Sequence, residues 1–456
     1  MSKNELKCGL PHCPKPHKRG SGRFAMTVDG LKDMKLNDYK QINEQVYAGT
    51  LPNGLAVFVV PKPGFHKKYA FFATDYGGID RRFKYGGKWI DTPAGVAHFL
   101  EHKMFDTEDG NALEQLSENG ASPNAYTSSD ITAYHFECID KFDENLEILL
   151  SFVSIPYFTP KSVEKEQGII AQEIRMVEDD PDYCLYYGLL KALFKQNPIR
   201  DSVAGTVDSI EKITAETLFN CHKVFYSPSN MVLCVVGDVD PKVVYDTACR
   251  VLPDEKGDRP LRDYGTPEAL LPETIDVNKT MEVSLPVFVA GNKLTPAAPG
   301  DETLKFEIIS AIALEILCGH SSPLYLRLYA EGLINADFSA SFDSAAGVAY
   351  TMFGGETRDP YRVYKEVKEE VQKTVTYGPD AAMFGRIKKA AIGSHIRAFN
   401  SFGVLASSIV EGHFRGFDSF EAPSILSKVT LDDVTKFIKD NIVPDNMAIS
   451  VINPKK

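Results

Sequence analysis

Lys212-Ile-Thr-Ala-Glu216 comes back later in the chain as Lys428-Val-Thr-Leu-Asp432. Pro228-Ser-Asn-Met231 comes back as Pro444-Asp-Asn-Met447, and Val235-Val236 as Val451-Ile452. All three pairs are 216 positions apart, and one spacing shared by three separate segments marks two copies of a single unit. Two such units account for 432 of the 456 residues and leave 24. Those 24 are the opening MSKNELKCGLPHCPKPHKRGSGRF, poor in apolar residues and rich in Pro, Gly and Ser. The expected organisation is a disordered tail over 1–24, a domain over 25–250, a Pro- and charge-rich linker over 251–282, and a homologous domain over 283–456.

Within each unit the apolar pattern alternates between strand and helix. Gly49-Thr-Leu-Pro-Asn-Gly-Leu-Ala-Val-Phe-Val-Val60 reads as a turn into a strand, with a second strand over 69–76. A helix is expected from Thr92-Pro93, another over 111–120, then a strand over 125–138. In the second unit, 304–317 reads as the matching helix, followed by a turn over 322–332 and a strand over 336–342. Long helices over 160–178 and 379–399 complete the copies. The implied fold class is α+β: two homologous domains, each a mixed or antiparallel sheet covered by helices.

Bulk composition narrows the function. At 43% hydrophobic, with 27 Phe and 20 Tyr, most of the chain folds into cores. A net charge of −12 argues against nucleic acid as a partner. No run approaches the ~20 uninterrupted apolar residues of a membrane span, and the first residues lack the apolar core of a secretory signal. Eight cysteines make no Cys-x-x-Cys pair and several sit in apolar runs such as Val232-Leu-Cys-Val-Val236, which fits reduced thiols and a cytoplasmic location.

The chemistry concentrates at His98-Phe-Leu-Glu101-His102. On a helix, positions i and i+4 share a face, so both imidazoles can reach one metal ion, with Glu101 beside them. This is the H-x-x-E-H order of an inverted zinc motif. A catalytic zinc needs three protein ligands and an open position. The helix over 160–178 offers Glu166 and Glu173, seven residues apart on nearly the same face, one able to bind the metal while the other supports it. Phe99, Leu100, Met104 and Phe105 crowd the same segment as the histidines, so little of it can face solvent, and buried histidines need polar partners.

With these residues in place, the chain resembles the insulinase (pitrilysin) family of zinc peptidases, which includes the mitochondrial processing peptidases. The specific part is Gly95-Val-Ala-His98-Phe-Leu-Glu101-His102-Lys-Met-Phe105, followed by Glu166-x6-Glu173-Ile-Arg-Met176. The resemblance implies one Zn2+ per chain bound by His98, His102 and Glu173, with Glu101 as general base and Glu166 as a second residue needed for catalysis. It implies a zinc-dependent endopeptidase for unstructured peptides, its two domains closing as a clamshell. It also makes Ser122-Pro-Asn124-Ala125-Tyr126-Thr127 an edge strand beside the zinc, where Asn124, Ala125 and Tyr126 bind an extended substrate by β-augmentation.

One departure stands out. Active members carry an Arg and a Tyr seven residues apart in the second domain, aimed at the substrate carbonyl. Here Tyr329 falls at the Arg position, Asn335 or Ala336 at the Tyr position, and Arg327 is followed seven residues on by Ile334. The implied assembly is a homodimer, or a heterodimer with a related subunit that supplies Arg and Tyr. The competing reading is a non-catalytic peptide-binding or scaffold subunit of the same family. The second unit has no metal motif: 216 positions beyond His98, Glu101 and His102 stand Leu314, Leu317 and Cys318. Among lesser signals, Cys8, His12, Cys13 and His17 belong to the expected tail, His135 and His222 read as structural, and Glu178-Asp-Asp180-Pro-Asp182 reads as a helix-ending loop.

Overall fold

A computed structural model describes residues 34–40 and 42–455; the tail expected over 1–24, with its Cys and His residues, lies outside them. The chain enters through an antiparallel pair, β1 (Met34–Tyr39) and β2 (Glu44–Thr50), neither of them read from the sequence. Next come β3 (Ala56–Pro61) and β4 (Lys68–Thr74), whose Val, Phe and Ala side chains are nearly all buried. Such continuous apolar strands require cover on both faces of the sheet. A hairpin of β5 (Arg82–Tyr85) and β6 (Lys88–Asp91) precedes the motif helix α1 (Val96–Met104).

α1 starts at Val96, later than the expected Thr92-Pro93. Thr92 stays outside the helix and bonds the Arg81 carbonyl through both its N–H and its hydroxyl. Gly95, at φ +96°, turns the chain into the helix instead. A Cβ there would lie 2.6 Å from the Ala204 carbonyl oxygen, and one on Gly205 2.5 Å from the Ala94 oxygen. Two glycines thus let the loop at 204–205 press against the start of α1.

Short strands β7 (Asp106–Thr107) and β8 (Gly110–Asn111) lead to α2 (Ala112–Glu118), where the Asn111 side chain accepts from the Leu113 N–H. The strand expected over 125–138 is two strands, β9 (Ser122–Thr127) and β10 (Thr132–Cys138). Ser128 and Ile131 close the turn between them, with Ser128 N–H donating to the Ile131 carbonyl at 2.8 Å. Helices α3 (Phe142–Ser154), α4 (Pro160–Glu178), α5 (Pro181–Leu193), α6 (Val207–Ile210) and α7 (Ala215–Phe225) follow, then β11 (Met231–Gly237) and α8 (Pro241–Val251). The loop expected over 178–182 is shorter: Glu178 ends α4, Asp180 caps α5 and Pro181 opens it, leaving Asp179 and Asp180 between the helices.

The second half runs through β12 (Asp276–Met281), β13 (Val287–Leu294), α9 (Asp301–Cys318), α10 (Pro323–Ala330), β14 (Ser339–Ala345) and β15 (Val348–Glu356). It continues through α11 (Pro360–Tyr377), α12 (Ala381–Ala398), α13 (Phe402–Arg415), α14 (Ala422–Lys428), α15 (Leu431–Asn441) and β16 (Met447–Pro454). The region expected as a turn after α9 is largely the helix α10, begun by the Ser322 cap and Pro323.

Sheet order carries the duplication. The first sheet runs β1-β2-β3-β11-β4-β10-β9 and the second β12-β16-β13-β15-β14. From β3 onward they match strand for strand, each with a single parallel pair, β11 on β3 and β16 on β12. The repeat that opens the sequence falls on the same elements twice: Thr214 and Thr430 cap α7 and α15, and β11 and β16 follow. β12 lies inside the segment 251–282, so the second sheet begins there. Earlier in that segment, Leu261 and Asp263 bond the backbone of β5, and Arg262 pairs with the buried Asp80 at 3.0 Å.

The halves exchange helices. α13 lays Phe402, Leu405, Ala406, Ile409 and Val410 on Val60, Phe71, Val232 and Cys234 of the first sheet. α5 lays Leu189, Leu190 and Leu193 against Val348, Tyr350 and Ala448 of the second. Among the described residues, only Asp301–Ala330 is long and apolar enough to cross a membrane, and 67% of its most apolar window is buried in this core.

Candidate metal centre

α1 lies between β9 and α4, and this packing brings the distant parts of the motif together. Val96, Ala97, Phe99, Leu100 and Met104 anchor α1 in the first core, leaving His98, Glu101 and His102 on its other face. α4 starts with a capping box at Thr159 and Ser162 and Pro160 in its first turn, and buries Val163, Ile170, Ala171 and Ile174. That burial turns Glu166 and Glu173 toward α1.

Nε2 of His98 stands 3.5 Å from Oε1 of Glu173, and Nε2 of His102 stands 3.5 Å from Oε2. One donor atom from each of the three residues lies within 4.8 Å of the others. Ligands about 2.1 Å from a tetrahedral zinc are about 3.4 Å apart, so the donor spacing and the His/His/Glu chemistry fit that ion. Glu166 does not share this position: its Oε1 meets His102 Nδ1 at 3.1 Å. A carboxylate on the far ring nitrogen fixes the tautomer that leaves Nε2 free to bind. His98 has no such support, its Nδ1 being buried without a hydrogen-bond partner.

The electrostatics follow from this crowding. Burial opposes the charged form of His102, but Glu166, Glu173 and Glu101 outweigh it and raise its pKa above the ordinary value. The close approach of His98 lowers the pKa of Glu173 more than partial burial raises it. Glu101 shares the face of the two histidines, and its Oε2 accepts a 2.6 Å hydrogen bond from Thr127 Oγ1, a contact the sequence reading missed.

Asn124, Ala125 and Tyr126 lie on β9, the terminal strand of the first sheet among the described residues, where β10 is its one paired strand. Ala125 packs toward the core that holds α1, and Tyr126 toward the opposite face against Phe71. β9 ends beside a cavity of about 740 Å³ between the halves, lined by Tyr126, Asp130, Tyr186, Glu307, Glu411 and Arg415 among others. Arg415 spans the halves here, bonding Glu307 at 2.8 Å and Asp130 at 3.5 Å.

The residues expected near the Arg and Tyr positions have other attachments. Arg327 pairs with Glu366 at 2.6 Å, Tyr329 is exposed, and Asn335 bonds Asp337 and Glu356. Leu314, Leu317 and Cys318 are buried in the second core, so the place of a second metal site is packed with apolar groups. His222 is buried with Nε2 on the Val153 carbonyl, and His135 stacks among Tyr69 and Phe71 in the first sheet.

Residues 86–207 match the family model described as insulinase (peptidase family M16), and residues 212–391 the one described as peptidase M16 inactive domain. An uncharacterized zinc protease of Bacillus subtilis, YmfH, is 37% identical over 432 residues, covering 92% of this chain and 99% of the relative. The chain belongs to the insulinase (M16) family of peptidases. An M16-like peptidase from Alicyclobacillus acidocaldarius has the same fold, with a TM-score of 0.87, 32% identity, and coverage of 90% of this chain and 99% of that one. Pitrilysin shares the fold at 16% identity and a TM-score of 0.73, with 93% of this chain matched to 47% of that chain. This M16 chain is thus a two-domain clamshell, and the inactive-domain match falls mainly on its second half, which lacks the histidine motif.

Proposed function

We propose that the chain is a zinc-dependent endopeptidase that cuts unstructured peptides held between its halves. The observation that carries this reading is the convergence of His98, His102 and Glu173 beside Glu101. When bound, zinc polarises the scissile carbonyl and acidifies the attacking water. Thr127 holds Oε2 of Glu101, which leaves Oε1 to take the proton of that water and deliver it to the leaving amine. Glu166 orients His102 through Nδ1. The free edge of β9 pairs with the peptide backbone at Asn124, Ala125 and Tyr126, aligning it without demanding a particular side chain.

A related partner subunit contributes the Arg and Tyr, which a second copy of this chain lacks; support comes from Ile334 standing where a Tyr would follow Arg327, and from the engagement of Arg327 with Glu366. A non-catalytic scaffold is the competing reading, and the intact His98, Glu101, His102 and Glu173 set weighs against it. The test is cleavage of a quenched unstructured peptide by the zinc-loaded chain, alone and mixed with a related subunit from the same host. Cleavage that disappears in Glu101→Gln, with zinc still bound, supports the reading. Stoichiometric zinc with no cleavage in any mixture refutes it.

A further inference from the structure

The residue that follows the motif, Lys103, is 1% exposed, although a lysine is rarely fully buried unless paired. Its ammonium has two anionic neighbours: it forms a close ion pair with Asp106, and Oε2 of Glu166 lies 4.0 Å away. Glu166 uses its other oxygen, Oε1, on His102 Nδ1. One oxygen of Glu166 thus faces a ligand histidine and the other faces a fixed positive charge. Glu166 and Glu173 are one heptad apart on α4, and both could in principle turn to the same ion. Glu173 has no lysine beside it among the described ion pairs and is the one that meets both Nε2 atoms.

We propose that Lys103 is a positioning residue that draws Glu166 away from the metal position, so that it serves as the partner of His102 while Glu173 serves as ligand. Asp106, the first residue of β7 with its side chain 40% exposed, anchors the lysine from the other side. The result is a chain Asp106–Lys103–Glu166–His102 reaching from solvent to the donor atom. Without the lysine, Glu166 loses its anchor, the His102 ring loses its fixed orientation, and two carboxylates compete for one coordination position. The competing explanation is structural: Lys103 sits in the last turn of α1, where a cation complements the helix dipole, and it neutralises Asp106. The two explanations differ in whether the effect of Lys103 passes through Glu166.

This inference rests on the zinc reading of the site, and a double-mutant cycle on zinc affinity separates the two. The full chain, stripped of metal, is titrated with Zn2+ against a chromophoric chelator as wild type, Lys103→Met, Glu166→Gln and the double variant. Lys103→Met is expected to weaken zinc binding about tenfold or more, the size of effect that outer partners of metal ligands have. In the Glu166→Gln background the same change is expected to alter affinity less than about twofold, because the residue it acts through is gone. Equal effects in both backgrounds, or none in either, overturn the proposal. If the wild type itself takes up no zinc, the functional reading fails first, and visibly so. Lys103→Gln, which keeps a buried hydrogen-bonding group, carries the test if the Met variant does not fold.

Discussion

Thr127 Oγ1 donates a 2.6 Å hydrogen bond to Oε2 of Glu101, joining the last residue of β9 to the carboxylate beside the two histidines. The strand edge proposed to receive the peptide and the proposed base are therefore held in one register. A hydrogen bond to a charged group contributes about 1.5–3 kcal/mol. Thr127→Val keeps the shape and removes the hydroxyl. It is expected to lower kcat roughly 10- to 100-fold with zinc content unchanged, since Thr127 touches no ligand atom. Steady-state kinetics on a quenched peptide, with metal analysis of the same sample, checks this; an unchanged kcat contradicts it.

Gly95 predicts a backbone requirement. At φ +96°, with a Cβ position 2.6 Å from the Ala204 oxygen, alanine meets both left-handed strain and a carbonyl that cannot yield cheaply. Gly95→Ala is expected to cost about 2 kcal/mol or more in folding stability and to weaken zinc binding by shifting the start of α1. Thermal unfolding and chelator competition give the two readouts.

His222 sets a pH window. Burial pushes its pKa down to about 4, with the Val153 carbonyl acting weakly the other way. Between pH 6.5 and 4 the unfolded chain binds this proton and the folded chain does not. Stability from this site is therefore complete above about pH 6.5 and is lost as the pH falls toward 4, by about 3 kcal/mol in all. Denaturant unfolding across that range should show a shallower loss in His222→Gln than in the wild type. Parallel curves contradict the assignment.

The exchange of α5 and α13 makes the halves one cooperative unit. Leu189 and Leu405 are fully buried, each on the sheet of the other half. Leu189→Ala and Leu405→Ala should each cost about 2–5 kcal/mol and lower a single unfolding transition. Two separate transitions, only one of them moved by each variant, would show independent halves.

Much of this was legible beforehand because it depends on local signals. The 216-residue spacing appears in capping threonines, Pro-x-Asn turns and apolar strands, all features that act within a few residues. The two histidines and Glu101 share one helix, and Pro160–Glu178 matches its expected bounds. What escaped is what only tertiary contact decides. β1, β2 and β12 are edge or near-edge strands with exposed polar positions, which blur alternation. The start of α1 is set by Ala204, more than a hundred residues away. The split of β9 from β10 depends on a Ser128–Ile131 turn inside an otherwise strand-like run. Thr127 and Lys103 lie inside the quoted stretches without a role read for either; their places beside Glu101 and Glu166 come only from packing.

Zinc stoichiometry tests the central claim most directly. The chain is stripped, reloaded with Zn2+, freed of loosely held metal and analysed for zinc per polypeptide, as wild type, Glu101→Gln and Glu173→Ala. The account predicts about one equivalent in the first two and less than about a tenth of that in the third. Zinc at background in the reloaded wild type, or a full equivalent retained by Glu173→Ala, would contradict it.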